Sequence, residues 1–222
     1  MKTTLIVPTL NEIEGFKAVM PRVKREWVDE ILVIDGGSTD GTVEYVQEKG
    51  YRVLKQKSPG ITGAYQDALD VAGGEIVIAF SPDGNSLPEL IPELVKKIKE
   101  GNDMVIASRY LDGAKSEDDD PITAMGNWAF TQMINFLFGG RYTDTLVMLR
   151  AWRKDISKKL PPNFPRAGIE PYLAIQCAKR KLKVAEIPGP EPKRIGSPRK
   201  MNPFKNGWDI LRLVFFEFFE KS

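Results

Sequence analysis

The stretch Glu75-Ile76-Val77-Ile78-Ala79-Phe80-Ser81-Pro82-Asp83-Gly84-Asn85-Ser86 decides how the chain folds. A continuous apolar run, rich in β-branched residues, stops at Pro82 and delivers a carboxylate, an amide and two hydroxyls into a turn. Its length and content are those of a strand buried on both faces, as in the middle of a parallel sheet. Ser86 follows as a helix cap, with Pro88 near the first turn and Glu89 three residues past the cap. Oxygen ligands therefore stand at the carboxyl end of a central strand, where open α/β sheets bind ligands. A hard cation such as Mg2+ or Mn2+ accepts a few protein oxygens together with substrate phosphates, so the turn reads as a metal-diphosphate site. Asp, Gly, Asn and Pro are equally the ordinary formers of a strand-to-helix turn, and the flanking segments must decide.

Those segments repeat one theme. Thr3 to Val7 reads as a strand stopped by Pro8, with Asn11 capping a helix from Glu12 to Arg25. Glu30 to Asp35 is a second buried strand, and Asp40 in the loop Gly36 to Gly41 can cap a helix over Thr42 to Glu48. Tyr51 to Gln56 is a third strand, followed by the loop Ser58 to Gly63 and a helix over Ala64 to Ala72. After the opening stretch, Pro88 to Glu100 carries a helical stripe of Leu90, Ile91, Leu94, Val95 and Ile98, and Asp103 to Ser108 makes a fifth strand. Strands alternating with helices at this spacing predict an α/β fold, a mostly parallel central sheet with helices on both faces. The loop after the second strand lacks Gly-x-Gly-x-x-Gly spacing, and no Lys follows a Gly-rich loop in the Walker manner, which disfavours dinucleotide-binding and P-loop readings.

Composition narrows the chemistry. At 222 residues, 42% hydrophobic and 28% charged, the chain suits one large globular domain. A net charge of +2 is not that of a protein built to coat nucleic acid. Histidine is absent and Cys177 is the only cysteine, which removes histidine bases, Ser-His-Asp triads and the usual zinc sites. Carboxylates, Arg, Lys, hydroxyls and a hard metal remain. Pro8 breaks the N-terminal apolar run too early for a signal peptide, and no run of about eighteen apolar residues occurs, so a cytoplasmic protein is expected.

Several motifs resemble glycosyltransferase family 2, with the greatest similarity to dolichyl-phosphate mannose and glucose synthases. They are Val7-Pro8-Thr9-Leu10-Asn11-Glu12, Val33-Ile34-Asp35-Gly36-Gly37-Ser38-Thr39-Asp40-Gly41-Thr42, Gly60-Ile61-Thr62-Gly63-Ala64 and the loop after Phe80. Thr143-Asp144, Arg150, Glu170, Glu186-Ile187-Pro188 and Arg194-Ile195-Gly196-Ser197 look like later signposts of that subgroup. The resemblance implies a GT-A fold over residues 1–200, a nucleoside-diphosphate sugar donor, a divalent cation and inversion at the anomeric carbon. It also implies nucleotide contacts from Pro8, Leu10, Glu12, Asp35, Gly60 and Ser81, and metal contacts from Asp83 and Asn85. Ser81 stands where the family has the first aspartate of its DxD motif, leaving one negative charge for the cation. Leu10 replaces an aromatic residue, and Leu146-Val147-Met148 replaces a small-residue turn after Asp144.

The acceptor decides what else is required. A polyprenyl phosphate, with a second pKa near 6, arrives anionic and needs cationic clamps, for which Arg109, Arg150, Arg194, Arg199 and Lys200 are candidates. A hydroxyl acceptor needs a general base, and Asp144 and Glu170 are the candidates. The acidic run Ser116 to Asp120 reads as a solvated loop. Ile122 to Phe138 reads as an apolar helix, either over the acceptor side or in the core.

Residues 201–222 form a separate tail, in which Trp208 to Phe219 places four Phe within five residues after a Pro- and Lys-rich loop, Pro188 to Pro203. Such a helix suits peripheral contact with the inner face of a membrane, a homodimer interface, or docking on the catalytic domain. A degenerate transferase acting as a scaffold is the remaining alternative, with Ser81 as its signature.

Overall fold

The computed structural model describes residues 1–157, 168–196 and 202–220. In chain order the elements are β1 (Thr3–Thr9), α1 (Ile13–Val19), β2 (Glu30–Asp35), α2 (Thr42–Glu48), β3 (Arg52–Lys55), α3 (Gly60–Val71) and β4 (Ile76–Ala79). There follow α4 (Ile91–Lys99), β5 (Met104–Ser108), α5 (Pro121–Phe138), β6 (Arg150–Arg153), α6 (Glu170–Lys179), β7 (Val184–Pro188) and α7 (Pro203–Phe219). The strands form one seven-stranded sheet in the order β3-β2-β1-β4-β6-β5-β7. All neighbours are parallel except β6, which runs antiparallel to both β4 and β5.

Alternation along the strands divides the core in two. Ile6, Leu32, Ile34, Val77, Ala79, Ile106 and Trp152 face one layer, closed by α3, α5, α6 and α7. Leu5, Val7, Val33, Ile76, Ile78, Val105 and Ala151 face the other, closed by α1, α2 and α4. The apolar runs therefore read as continuous because both of their faces are covered.

Local details differ from the sequence expectation for identifiable reasons. β1 continues through Pro8, because its ladder with β4 ends at Ile6 opposite Ala79, so the missing N–H breaks no bond on that side. The first helix stops at Val19 and tightens into a 3-10 turn over Met20–Arg22, where Pro21 cannot extend the α ladder. Asn11 does not cap it: Asn11 sits at φ 52°, and the Asp40 carboxylate accepts from Ile13 N at 3.1 Å and from Thr42 N at 3.0 Å. One aspartate thus accepts from the first N–H of two helices, whose N-cap residues, Glu12 and Gly41, offer no side-chain cap of their own. Cys177 is buried in α6, and burial pushes its thiol up to about 12, as expected of a packing residue.

Candidate active site

β1 leads by successive crossovers to β2 and β3 on one side, and the chain then returns to β4 on the other. The crevice between the carboxyl ends of β1 and β4 is therefore the topological switch point, where such sheets bind ligands. Glu12 and Leu10 follow β1, Asp35 ends β2, and Ser81, Asp83 and Asn85 follow β4. The sheet brings the expected donor-side residues to one edge.

The first two loops are tied together. Asp35 is buried, and its carboxylate accepts from Gly37 N at 2.8 Å and Ser38 N at 3.1 Å, shaping the Gly36–Ser38 turn. Asn11 N donates to Ser38 Oγ at 2.8 Å, Asn11 Oδ1 accepts from Thr39 N at 2.7 Å, and Glu12 N donates to Thr42 Oγ1 at 3.1 Å. Leu10 is left exposed at the rim. The Gly60 carbonyl accepts from Gln56 Nε2 at 2.7 Å, which anchors the start of α3 near the end of β3.

The turn after β4 is held from three directions. Ser81 N donates to Ser86 Oγ at 3.2 Å, so Ser86 closes the turn rather than capping a long helix; a 3-10 turn over Pro88–Leu90 precedes α4. Gly15 of α1 lies so near that a Cβ there would stand 2.5 Å from Pro82 O and 2.9 Å from Asp83 Cα. Only glycine allows that approach. From above comes the segment 191–195. Asn85 Nδ2 donates to Pro192 O at 2.8 Å, Ile195 N donates to Asp83 O at 2.7 Å, and Arg194 Nη1 forms an ion pair with Asp83 Oδ2. Asp83 and Asn85 are thus together, with a guanidinium on the carboxylate.

A second cluster lies beyond β5. Arg109 is buried with Asp144, which it binds through Nε at 2.7 Å and Nη2 at 3.0 Å, while Nη1 reaches Asp119 at 3.1 Å and Glu191 at 3.4 Å. Burial would raise the Asp144 carboxyl, but Arg109 and the N–H groups of Leu146 and Arg109 outweigh it and hold the group below its ordinary value. Burial raises Glu191 despite Arg109, and raises Glu186, whose carboxylate accepts from Thr143 N at 2.9 Å. In sequence Asp119 belongs to an acidic run that reads as solvated; its side chain is instead 3% exposed, accepting also from Tyr110 Oη at 2.8 Å and Asn127 Nδ2 at 3.0 Å. Its signal in the sequence is weak, because the partner that buries it lies ten residues away across a turn.

Arg150 and Glu170 form a third, interior group. Arg150 is fully buried and donates to the carbonyls of Val147 at 3.0 Å, Glu170 at 2.9 Å and Thr145 at 3.1 Å. Its guanidinium is committed to backbone. Burial raises the Glu170 carboxyl, with Arg150 opposing, and burial together with Glu170 raises the neighbouring Tyr65 hydroxyl well above its usual value. Arg199 and Lys200 lie outside the described residues.

The outer surface of this side is unusual. α7 buries Ile210, Leu213, Val214 and Glu217 against α5 and α6, with Glu217 accepting from Gln176 Nε2 at 2.8 Å and Lys179 Nζ at 3.2 Å. Phe204, Trp208, Phe215 and Phe219 recur at helical spacing on the opposite, exposed face. α5 contains no charged residue; it turns Asn127 and Thr131 inward and Ile122, Met125, Trp128 and Phe136 outward. Among the described residues no helix is long and apolar enough to cross a membrane.

Comparison with known proteins shows the fold and the family. The structure matches the crystal structure of glucosyl-3-phosphoglycerate synthase from Mycobacterium tuberculosis in complex with Mn2+, UDP and phosphoglyceric acid. The TM-score is 0.74 at 21% identity, over 100% of this chain and 80% of that one. The fold is that of the GT-A glycosyltransferases. The sequence profile of glycosyl transferase family 2 matches residues 4–160, and the chain belongs to that family. It is 28% identical to glycosyltransferase AglJ of Haloferax volcanii, over 98% of this chain and 71% of the relative. It is likewise 28% identical to a dolichyl-phosphate hexose transferase of the same organism, over 91% and 88%.

Proposed function

We propose that this glycosyltransferase moves a hexose, with inversion, from a nucleoside-diphosphate sugar to a polyprenyl phosphate at a membrane surface. The observation that carries the reading is the position of Asp83, a carboxylate at the switch-point crevice already paired with a cation. The names of the relatives and the outward apolar face of α5 and α7 support the acceptor and the membrane. In this reading residues 1–200 are the catalytic unit and α7 is its C-terminal appendage.

Pro8, Leu10 and Glu12 at and after the end of β1, Asp35 at the end of β2 and Gly60 at the start of α3 frame the nucleoside, and Ser81 borders the diphosphate. A divalent cation, Mg2+ or Mn2+, would be held by Asp83 with the amide oxygen of Asn85. One carboxylate and an amide are hard oxygen donors that suit such an ion and leave most of its coordination to phosphate and water. Bound there, it would supply the positive charge that offsets the leaving diphosphate. An anionic acceptor phosphate needs no base: its oxygen forms the new bond to the anomeric carbon while the bond to the diphosphate breaks, and the diphosphate takes the electron pair. Attack opposite the leaving group inverts the centre. Arg194 steadies phosphate charge; Arg109, Asp144 and Arg150 act as positioning residues, since their hydrogen bonds are already committed within the protein. A hydroxyl acceptor would require a base, and the commitment of Asp144 to Arg109 and the burial of Glu170 weigh against that route.

The test is transfer from UDP- and GDP-hexoses with Mn2+ to undecaprenyl or dolichyl phosphate in vesicles. Labelled hexose is expected in the organic extract. Transfer to a soluble hydroxyl acceptor with none to the lipid would favour the second route.

A further inference from the structure

Residues 191–195 strap the crevice, and the strap is fastened at both ends. Glu191 reaches Arg109 at 3.4 Å and Ser116, in the Arg109–Asp144 cluster beyond β5. At the other end Pro192 O and Ile195 N bond to Asn85 and Asp83, and Ile195 lies on Gly84 so closely that a Cβ there would stand 2.9 Å from Ile195 Cγ1. Between these points Arg194 Nη1 meets Asp83 Oδ2, with the Asp83 side chain 5% exposed. Arg194 Nε is buried with no hydrogen-bond partner among the described residues, a donor left over once Asp83 has been met.

We infer that Arg194 is the resident counter-charge of Asp83 and competes with the divalent cation for it. The cation then binds weakly alone and more tightly together with a nucleoside diphosphate, whose phosphate oxygens take over the guanidinium. The inference rests on the reading above that Asp83 is the cation's ligand. Its physical basis is that a chain with Ser81 in the turn offers one carboxylate, and two positive charges in contact with one carboxylate repel. A diphosphate resolves the conflict because it brings oxygens for both. Because coupling between two ligands is reciprocal, cation and nucleotide raise each other's affinity by the same factor.

The experiment is a direct Mn2+ titration of the whole chain, followed by the electron paramagnetic resonance of the free ion, alone and with saturating UDP or GDP. Nucleotide's own Mn2+ binding is subtracted from a protein-free titration. Without nucleotide, Arg194→Gln should bind Mn2+ about tenfold tighter than the native chain, a difference of about 1.4 kcal/mol. Arg194→Lys, which keeps the charge, should stay close to native. The gain in Mn2+ affinity on adding nucleotide should shrink in Arg194→Gln. Equal nucleotide-free affinities in the native and Arg194→Gln chains, or no measurable Mn2+ binding by the variant, would overturn the inference. Asp83→Asn separates the two readings. If it leaves Mn2+ binding unchanged, the site assignment itself fails. If it abolishes binding while Arg194→Gln changes nothing, only the competition is refuted.

Discussion

Arg109 grips Asp144 through two parallel bonds, Nε to Oδ2 at 2.7 Å and Nη2 to Oδ1 at 3.0 Å, in a place where both side chains are shielded from solvent. Asp119 and Glu191 complete the shell, so one guanidinium neutralises part of three carboxylates. Replacing Arg109 by Met leaves those carboxylates buried without a cation. Losing one partner of such a group costs about 3–5 kcal/mol, and urea unfolding of Arg109→Met should show a loss of that order. A loss below about 1 kcal/mol would show that the cluster re-solvates freely.

Asp83 is the carboxylate of the turn on which the cation reading depends. Asp83→Ala should keep the native circular dichroism and lose the Mn2+-dependent rise in melting temperature with nucleotide, since ligand binding to the native state raises that temperature. Ser81→Asp supplies a second carboxylate and should enlarge the shift. If the Mn2+ effect survives in Asp83→Ala, another set of oxygens holds the ion.

The buried acids predict the shape of the stability curve against pH. Burial raises Glu170, Glu186 and Glu191 above their unfolded values, so the native state binds their protons more tightly and stability from them is lost as pH rises through the folded values. Asp144 is held down instead, so its contribution is present above the unfolded value near 4 and disappears as pH falls through the folded one. The melting temperature should therefore be highest on the acid side of neutrality and decline on both sides. Glu170→Gln should flatten the alkaline decline. A melting temperature that climbs steadily from pH 5 to pH 8 would contradict the burial argument.

The outward aromatics of α7 make a separate prediction. Trp208→Glu with Phe215→Glu should abolish flotation with anionic vesicles while shifting stability by less than about 1 kcal/mol, because surface changes away from packed groups are usually small. Leu213→Glu, on the inward face, should unfold the helix from α6. If the double variant still floats and instead changes from dimer to monomer in sedimentation, the face belongs to a second copy of the chain.

Five strands and most helices were legible because their apolar runs are long enough to set a period, and the edge that holds Asp35 and Asp83 followed from them. β6 was not legible. Arg150-Ala151-Trp152-Arg153 looks like a surface segment until the carbonyls of Thr145 and Val147, just before it, and of Glu170, twenty residues on, are seen to satisfy Arg150. β7 hides in the same way, since Glu186 is held by N–H groups more than forty residues earlier. The bond from Ile13 N to Asp40 rather than to Asn11, and the burial of Asp119, also depend on partners brought in by the fold. Where a polar side chain is satisfied by partners that only the folded chain turns toward it, local pattern assigns it to solvent.

The antiparallel strand β6 has a consequence for biosynthesis. β4 and β5 are not paired with each other; each is bonded to β6, which is made after both. A growing chain can assemble β1 to β4 early, but until residue 153 leaves the ribosome an unpaired edge of β4 stays open and β5 has no neighbour toward it. Stalling or truncation between residues 108 and 150 should thus give a half-sheet with an exposed apolar edge, the kind of species that recruits chaperones or aggregates.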